Sequence, residues 1–222
     1  MRRKQQPRER TERVADLKQN LSQEQLAAIG AVTIAWNELE IFIHLLLGYG
    51  LYFPWPLLLE VTTRINGIDG QIEIIRKLRT LHMDIGVEEK VWKLIEISLS
   101  GITEYKRFRD GVIHARVLDA PQGIGEIIQK RGAREEILLT EKALNALYDR
   151  LVLLRSELVS ITLIFEKVSR HLQIDILRDK RPNTKSLSQD IQAYVSQLQQ
   201  HQSQRLLLQP LPGFPEIPLA SL

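Results

Sequence analysis

Arg109, Asp110 and His114, in the stretch FRDGVIHARV at 108–117, are the side chains of this chain best suited to chemistry. An arginine stays charged, and its forked N–H donors fit phosphate oxygens. A histidine titrates near neutrality and can pass a proton in either direction. An aspartate four residues before a histidine lies on the same helical face and can orient the imidazole or steady its charged form. Together the three suit phosphoryl chemistry without a metal. The arginine stabilises charge developing at phosphorus, and the histidine serves a ribose 2′-OH or the leaving oxygen. On an ideal helix five residues turn about 140° beyond a full circle, so Arg109 and His114 do not share a face. Three arrangements reunite them: the arginine reaches around, the helix distorts at Gly111, or a second chain completes the site. The plain alternative is a polar helix end with no activity.

Basic side chains gather around this stretch. Residues 104–134 carry seven Lys or Arg against four Asp or Glu, among them Lys106, Arg107, Arg116, Lys130 and Arg131, the candidate contacts for a polyanion. Residues 1–20 hold seven basic and three acidic side chains, and 178–222 five and three. With a net charge of +3 overall, residues 21–177 are therefore net acidic. A uniformly basic nucleic-acid-binding block is excluded, and polyanion affinity falls to the N-terminal arm and the local patch.

The chain contains no cysteine, which rules out disulfides, thiolate catalysis and cysteine-bound zinc and fits a cytoplasmic location. His82, His171 and His201 have no histidine neighbour at ligand spacing, so no metal or other cofactor is expected. His44 reads as a core histidine. GIDG and GIGE lack the strand, loop and helix order of a phosphate loop. The start of the sequence carries no apolar core of a secretory signal. Residues 41–59 lack charge over a length that suits a membrane span, but Gly48, Gly50, Pro54 and Pro56 interrupt them. They read as two buried helices and their connection, without stable membrane insertion.

Four helices are needed to position the cluster. The first starts at Ser22, which forms a capping box with Gln25. It carries a stripe of Ile29, Val32, Trp36, Leu39, Ile43 and Leu46 and ends at the GYG of 48–50. The second spans roughly 57–81, bends or splits near Gly67 and Gly70, and presents Ile68, Ile72, Ile75, Leu78 and Leu81. The third begins near Val87, faces inward through Val91, Leu94, Ser98, Ile102 and Tyr105, and ends in the cluster. Short strands joined by turns follow within 115–140. Thr140 caps a long helix whose Leu144, Leu147, Leu151, Leu154, Leu158, Ile161, Phe165 and Val168 step by three and four. That seam packs on neighbouring helices or also on a partner chain. The expected fold is all-α: a four- to five-helix up-and-down bundle with a small β-hairpin insertion before the last long helix. The domain covers 21–177. A basic disordered arm, 1–20, precedes it, and a linker with a Gln/Pro-rich tail, 178–222, follows. Within that tail 187–209 has the pattern of an amphipathic helix.

The RDGVIH of 109–114 resembles the Arg-x4–6-His signature of the HEPN family, the helical "higher eukaryotes and prokaryotes nucleotide-binding" domains. The WNELE of 36–40 is similar to a Trp-Asn-x-Leu-Glu stretch in many of its members, and the motif closes a third helix as it does there. The resemblance covers roughly 22–171. It implies a metal-independent endoribonuclease acting as a homodimer, with two motif copies lining one cleft. It also implies a role as a toxin or phage-defence effector, with an antitoxin or other partner protein. Arg109 and His114 carry over as catalytic residues and Asp110 as the polar residue after the arginine. Lys106, Arg107, Arg116, Lys130 and Arg131 become RNA contacts. The family more often has Asn where Asp110 stands, and Asp sets a negative charge beside an incoming phosphate. The rival function is a non-catalytic dimerisation or interaction module that recruits a partner.

Overall fold

The computed structural model describes residues 21–51, 60, 65, 67–114, 116–119, 124–128, 134–177, 184–208 and 211. Five helices account for most of them: α1 (Gln23–Leu51), α2 (Gly67–Asp84), α3 (Glu89–His114), α4 (Glu141–Leu177) and α5 (Thr184–Leu206). The fold has helical-bundle character. Between α3 and α4 the backbone of β1 (Arg116–Asp119), β2 (Ile124–Ile128) and β3 (Arg134–Leu138) pairs antiparallel in chain order. Arg116 lies opposite Glu126, Ile128 opposite Arg134, and the register slips between Val117 and Asp119.

The chain divides into two compact units. One comprises Met1–Ile34, Lys106–Asp149 and Pro210–Leu219; the other comprises Ala35–Tyr105, Arg150–Gln209 and Ala220–Leu222.

In the first unit, α1 begins in a reciprocal cap. Gln25 N–H donates to Ser22 Oγ at 3.1 Å, and Ser22 N–H donates to Gln25 Oε1 at 2.8 Å. The remaining amide of Gln25, itself buried, donates to the Leu139 carbonyl at 3.0 Å. Thr140 caps α4 by accepting from Ala143 N–H at 3.3 Å.

The second unit holds the larger core. Trp36, Leu39, Ile43, Leu46 and Leu47 of α1 are fully buried, as are Leu151, Leu154, Leu158 and Ile161 of the α4 seam. Among the described residues α1 is the one helix whose length and apolar composition would suit a membrane span, and 33% of its most apolar stretch is buried. Helix α1 ends at Leu51, one residue past the GYG of 48–50. A Cβ at position 50 would lie 2.4 Å from Leu78 Cδ1 and 3.4 Å from the Phe165 ring. Gly50 therefore permits close packing against α2 and α4 in the last turn of the helix.

Helix α2 buries Ile68, Ile72, Ile75 and Leu78 on the expected stripe. Its last inward residue is His82; Leu81 is exposed. The helix closes in a Schellman turn: Gly86, at φ 101°, donates its N–H to the Met83 carbonyl, and Val87 N–H donates to that of His82. That turn draws residue 82 inward. Helix α3 buries Val91, Trp92, Ile95, Ser98, Leu99, Ile102 and Tyr105.

Candidate functional site

Arg109 and Asp110 lie near the end of α3. The last turns of this helix bury Phe108, Gly111 and Val112, while Lys106, Arg109 and Asp110 are half-buried and Arg107 is exposed. Three- and four-residue spacing sets Lys106, Arg109 and Asp110 on one side of the helix. Arg109 Nη1 donates to Asp110 Oδ1 at 2.7 Å, with the arginine side chain 20% and the aspartate 37% exposed.

Helix α3 continues through Gly111 to His114. The arrangement in which the helix distorts at Gly111 is therefore set aside. Positions 109 and 114 stay about 140° apart around the axis, whereas position 114 follows Asp110 by one turn on the same side. Asp110 is the group adjacent to both. The side chains of His114 and Arg116 lie outside the described residues, as do Lys130 and Arg131 altogether.

The WNELE stretch has a defined geometry. The buried Trp36 indole N–H donates to Glu40 Oε1 at 2.7 Å, one turn on. A half-buried carboxylate on α1 is thereby held by its own helix.

A second polar cluster occupies the larger unit. Glu157 of α4 is fully buried, and Arg205 of α5 is 5% exposed. Arg205 Nε donates to Glu157 Oε1 at 2.5 Å, and Nη2 donates to Oε2 at 3.2 Å. Ser98 Oγ donates to Glu157 Oε2 at 2.7 Å, and Gln202 Nε2 donates to Ser98 Oγ at 2.9 Å and to the Leu94 carbonyl at 2.6 Å. Arg205 Nη1 reaches the Tyr105 hydroxyl at 3.3 Å, with the guanidinium carbon 5.8 Å from that ring's centre. Burial works against the Arg205 charge, but the hydrogen bond and charge of Glu157 outweigh it, and the guanidinium ends above its ordinary range. Half-buried Glu104 is pushed up by burial while the Arg205 and Arg150 charges pull it down. No buried side-chain nitrogen or oxygen of Glu157, Arg205, Ser98 or Gln202 is left without a partner, which is how a structural anchor is built.

Spacing places Ser98 on the inner face of α3, but does not single out Glu157, Gln202 and Arg205. Their signal was continuity. Glu157 sits inside the α4 seam beside Leu158, and Gln202 and Arg205 continue the α5 stripe of Leu187, Ile191, Val195 and Leu198.

His82 of α2 lies in an aromatic box, its ring 4.7 Å from that of Phe165 and 5.6 Å from that of Trp92. Among the described residues neither of its nitrogens has a hydrogen-bond partner. Burial pushes its pKa down to about 4, so the ring is neutral near pH 7. No group of three His, Asp or Glu among the described residues is gathered to hold a metal.

Comparisons with protein-family models, curated proteins and solved structures find no match to this chain.

Proposed function

We propose that the chain is a HEPN-type endoribonuclease that cleaves RNA by transesterification without a metal, working as a homodimer. His114 takes the proton of a ribose 2′-OH, whose oxygen attacks the neighbouring phosphorus. The bond to the 5′ oxygen breaks, that oxygen receives a proton, and the products are a 2′,3′-cyclic phosphate and a 5′-OH. Arg109 neutralises the charge that builds on the phosphoryl oxygens, and Asp110 orients the guanidinium and the imidazole. Lys106, Arg107, Arg116, Lys130 and Arg131 guide the strand, and the N-terminal arm adds salt-sensitive affinity. Proton transfer by a placed imidazole contributes about 10²–10⁴-fold, and the guanidinium adds electrostatic stabilisation.

The observation that carries this reading is the Arg109–Asp110 pair on a helix that runs unbroken to His114. In a pair of copies, the histidine of one meets the arginine of the other across the offset of about 140° that separates the two positions on a single helix. A cytoplasmic toxin or phage-defence effector, held in check by a partner protein, is the setting such an activity fits.

One observation favours the non-catalytic alternative. The Asp110 carboxylate already occupies Arg109 Nη1 and would repel an incoming phosphate. In that reading the domain dimerises and recruits a partner.

Induced expression separates the two. The nuclease arrests growth and leaves cellular RNA with cyclic-phosphate ends, and His114→Ala abolishes both without changing the eluted size on a sizing column. Intact RNA and normal growth with the wild-type chain would remove the nuclease reading, and cleavage lost in EDTA would contradict its mechanism.

A further inference from the structure

We infer that the buried Arg205–Glu157 pair is a register lock: it fixes one axial position of α5 against α3 and α4, a choice that the apolar contacts of α5 do not make. The inward stripe of this helix is Leu187, Ile191, Val195 and Leu198, all buried, followed by Gln202 and Arg205. Its four apolar members are similar aliphatic side chains one turn apart. Sliding α5 by a turn replaces one with the next and leaves the aliphatic match largely intact. The two polar members do not tolerate that slide. Shifted by one turn, about 5.4 Å, Arg205 leaves Glu157 as an unpaired anion in the core, and Gln202 loses Ser98 and the Leu94 carbonyl.

The receiving surface is cut to one position. A Cβ on Gly101 would stand 3.0 Å from Arg205 Nη1 and 3.3 Å from Cζ, so the glycine leaves the space that the guanidinium fills. Tyr105, one turn on, closes it from the other side with its ring and hydroxyl. Buried ion pairs are frequently replaceable by apolar side chains without loss of stability, whereas removal of one partner alone is severe. Such a pair selects between arrangements more than it strengthens one.

The absence of cysteine allows a direct test, because Lys93→Cys on α3 and Gln197→Cys on α5, both at exposed positions, give the only two sites for spin labels. Double electron–electron resonance then reports the α3–α5 distance. In the otherwise native chain a single narrow distance is expected. With E157M/R205M, melting within a few degrees of the native chain, together with a broadened or doubled distance distribution, supports the lock. R205M alone, which leaves the carboxylate unpaired, is expected to melt far lower than the double variant. A double variant that keeps the single native distance overturns the proposal. So does one that melts as low as R205M, which would make the pair a source of stability rather than of register.

Discussion

The imidazole of His82 meets the ring of Phe165 edge-on, with centroids 4.7 Å apart and planes at 74°. Such a tilted contact suits aromatic quadrupoles but gives the ring nitrogens nothing to bond. Buried beside Trp92 as well, this histidine can be accommodated only as the neutral ring.

Stability is therefore expected to depend on pH. The pKa of His82 falls from about 6.5 in the unfolded chain to about 4 in the folded one. Between these values the unfolded state binds more protons, so acid favours unfolding. The contribution is complete above pH 6.5 and is lost as pH falls towards 4, by about 3 kcal/mol in total. Urea unfolding midpoints between pH 4 and 7.5 measure it, and His82→Leu is expected to flatten this part of the curve. An equally steep fall in the variant would assign the dependence to other groups.

Two glycines of α1 predict opposite outcomes. A Cβ at Gly30 meets nothing within 4 Å, so Gly30→Ala should stabilise the chain by about 0.5–1 kcal/mol through helix propensity. At Gly50 the added methyl collides with the buried Leu78 side chain, and Gly50→Ala should destabilise by about 1–3 kcal/mol from overpacking. Paired thermal melts decide this, and a change of the same sign in both would contradict the packing role given to Gly50.

Gln25 performs two tasks, capping α1 and binding the Leu139 carbonyl. Ser22→Ala removes one side of the cap and should cost about 1 kcal/mol. Gln25→Glu keeps the capping acceptor but replaces the buried donor with a charge facing a carbonyl, so a loss of about 2 kcal/mol is expected. Chemical denaturation should rank the variants in that order, and a Gln25→Glu chain as stable as the wild type would show that the Leu139 contact is dispensable.

At the candidate site the decisive variant is Asp110→Asn. It keeps an acceptor for Arg109 while removing the charge that faces a phosphate. On the nuclease reading RNA affinity at low salt should rise about fivefold, corresponding to about 1 kcal/mol of relieved repulsion. Arg109→Ala should lower cleavage by about 10²–10³-fold. Fluorescence anisotropy with a labelled oligonucleotide, together with a cleavage assay, provides both numbers. No gain in affinity from Asp110→Asn would show that Asp110 does not oppose the ligand.

Much of the helical fold was legible in the residues because it rests on apolar side chains at regular steps. The α4 seam from Leu144 to Val168 is buried at every position, and the Ser22–Gln25 cap forms as its spacing suggested. Three features were not legible. That Gly50 also makes room for a neighbouring helix depends on the position of Leu78. His82 takes the inward place assigned to Leu81, because the Schellman turn at Gly86 sets how α2 ends. Gln202 and Arg205 have the composition of a solvated face, and only Glu157 and Ser98, far away in sequence, reveal that they are buried. For the candidate site, spacing along a helix shows that positions 109 and 114 lie on different sides, whereas the Arg109–Asp110 contact is seen only in the structure.

Because Arg205 supplies the counterion of Glu157, the Gln-rich segment is no optional appendage. A chain shortened to end at Leu177 would bare a carboxylate in an oily trough and strip the cover from Leu94 and Ser98. Experiments on such a trimmed form would study a damaged core, and any insolubility would reflect that injury rather than the behaviour of the native molecule.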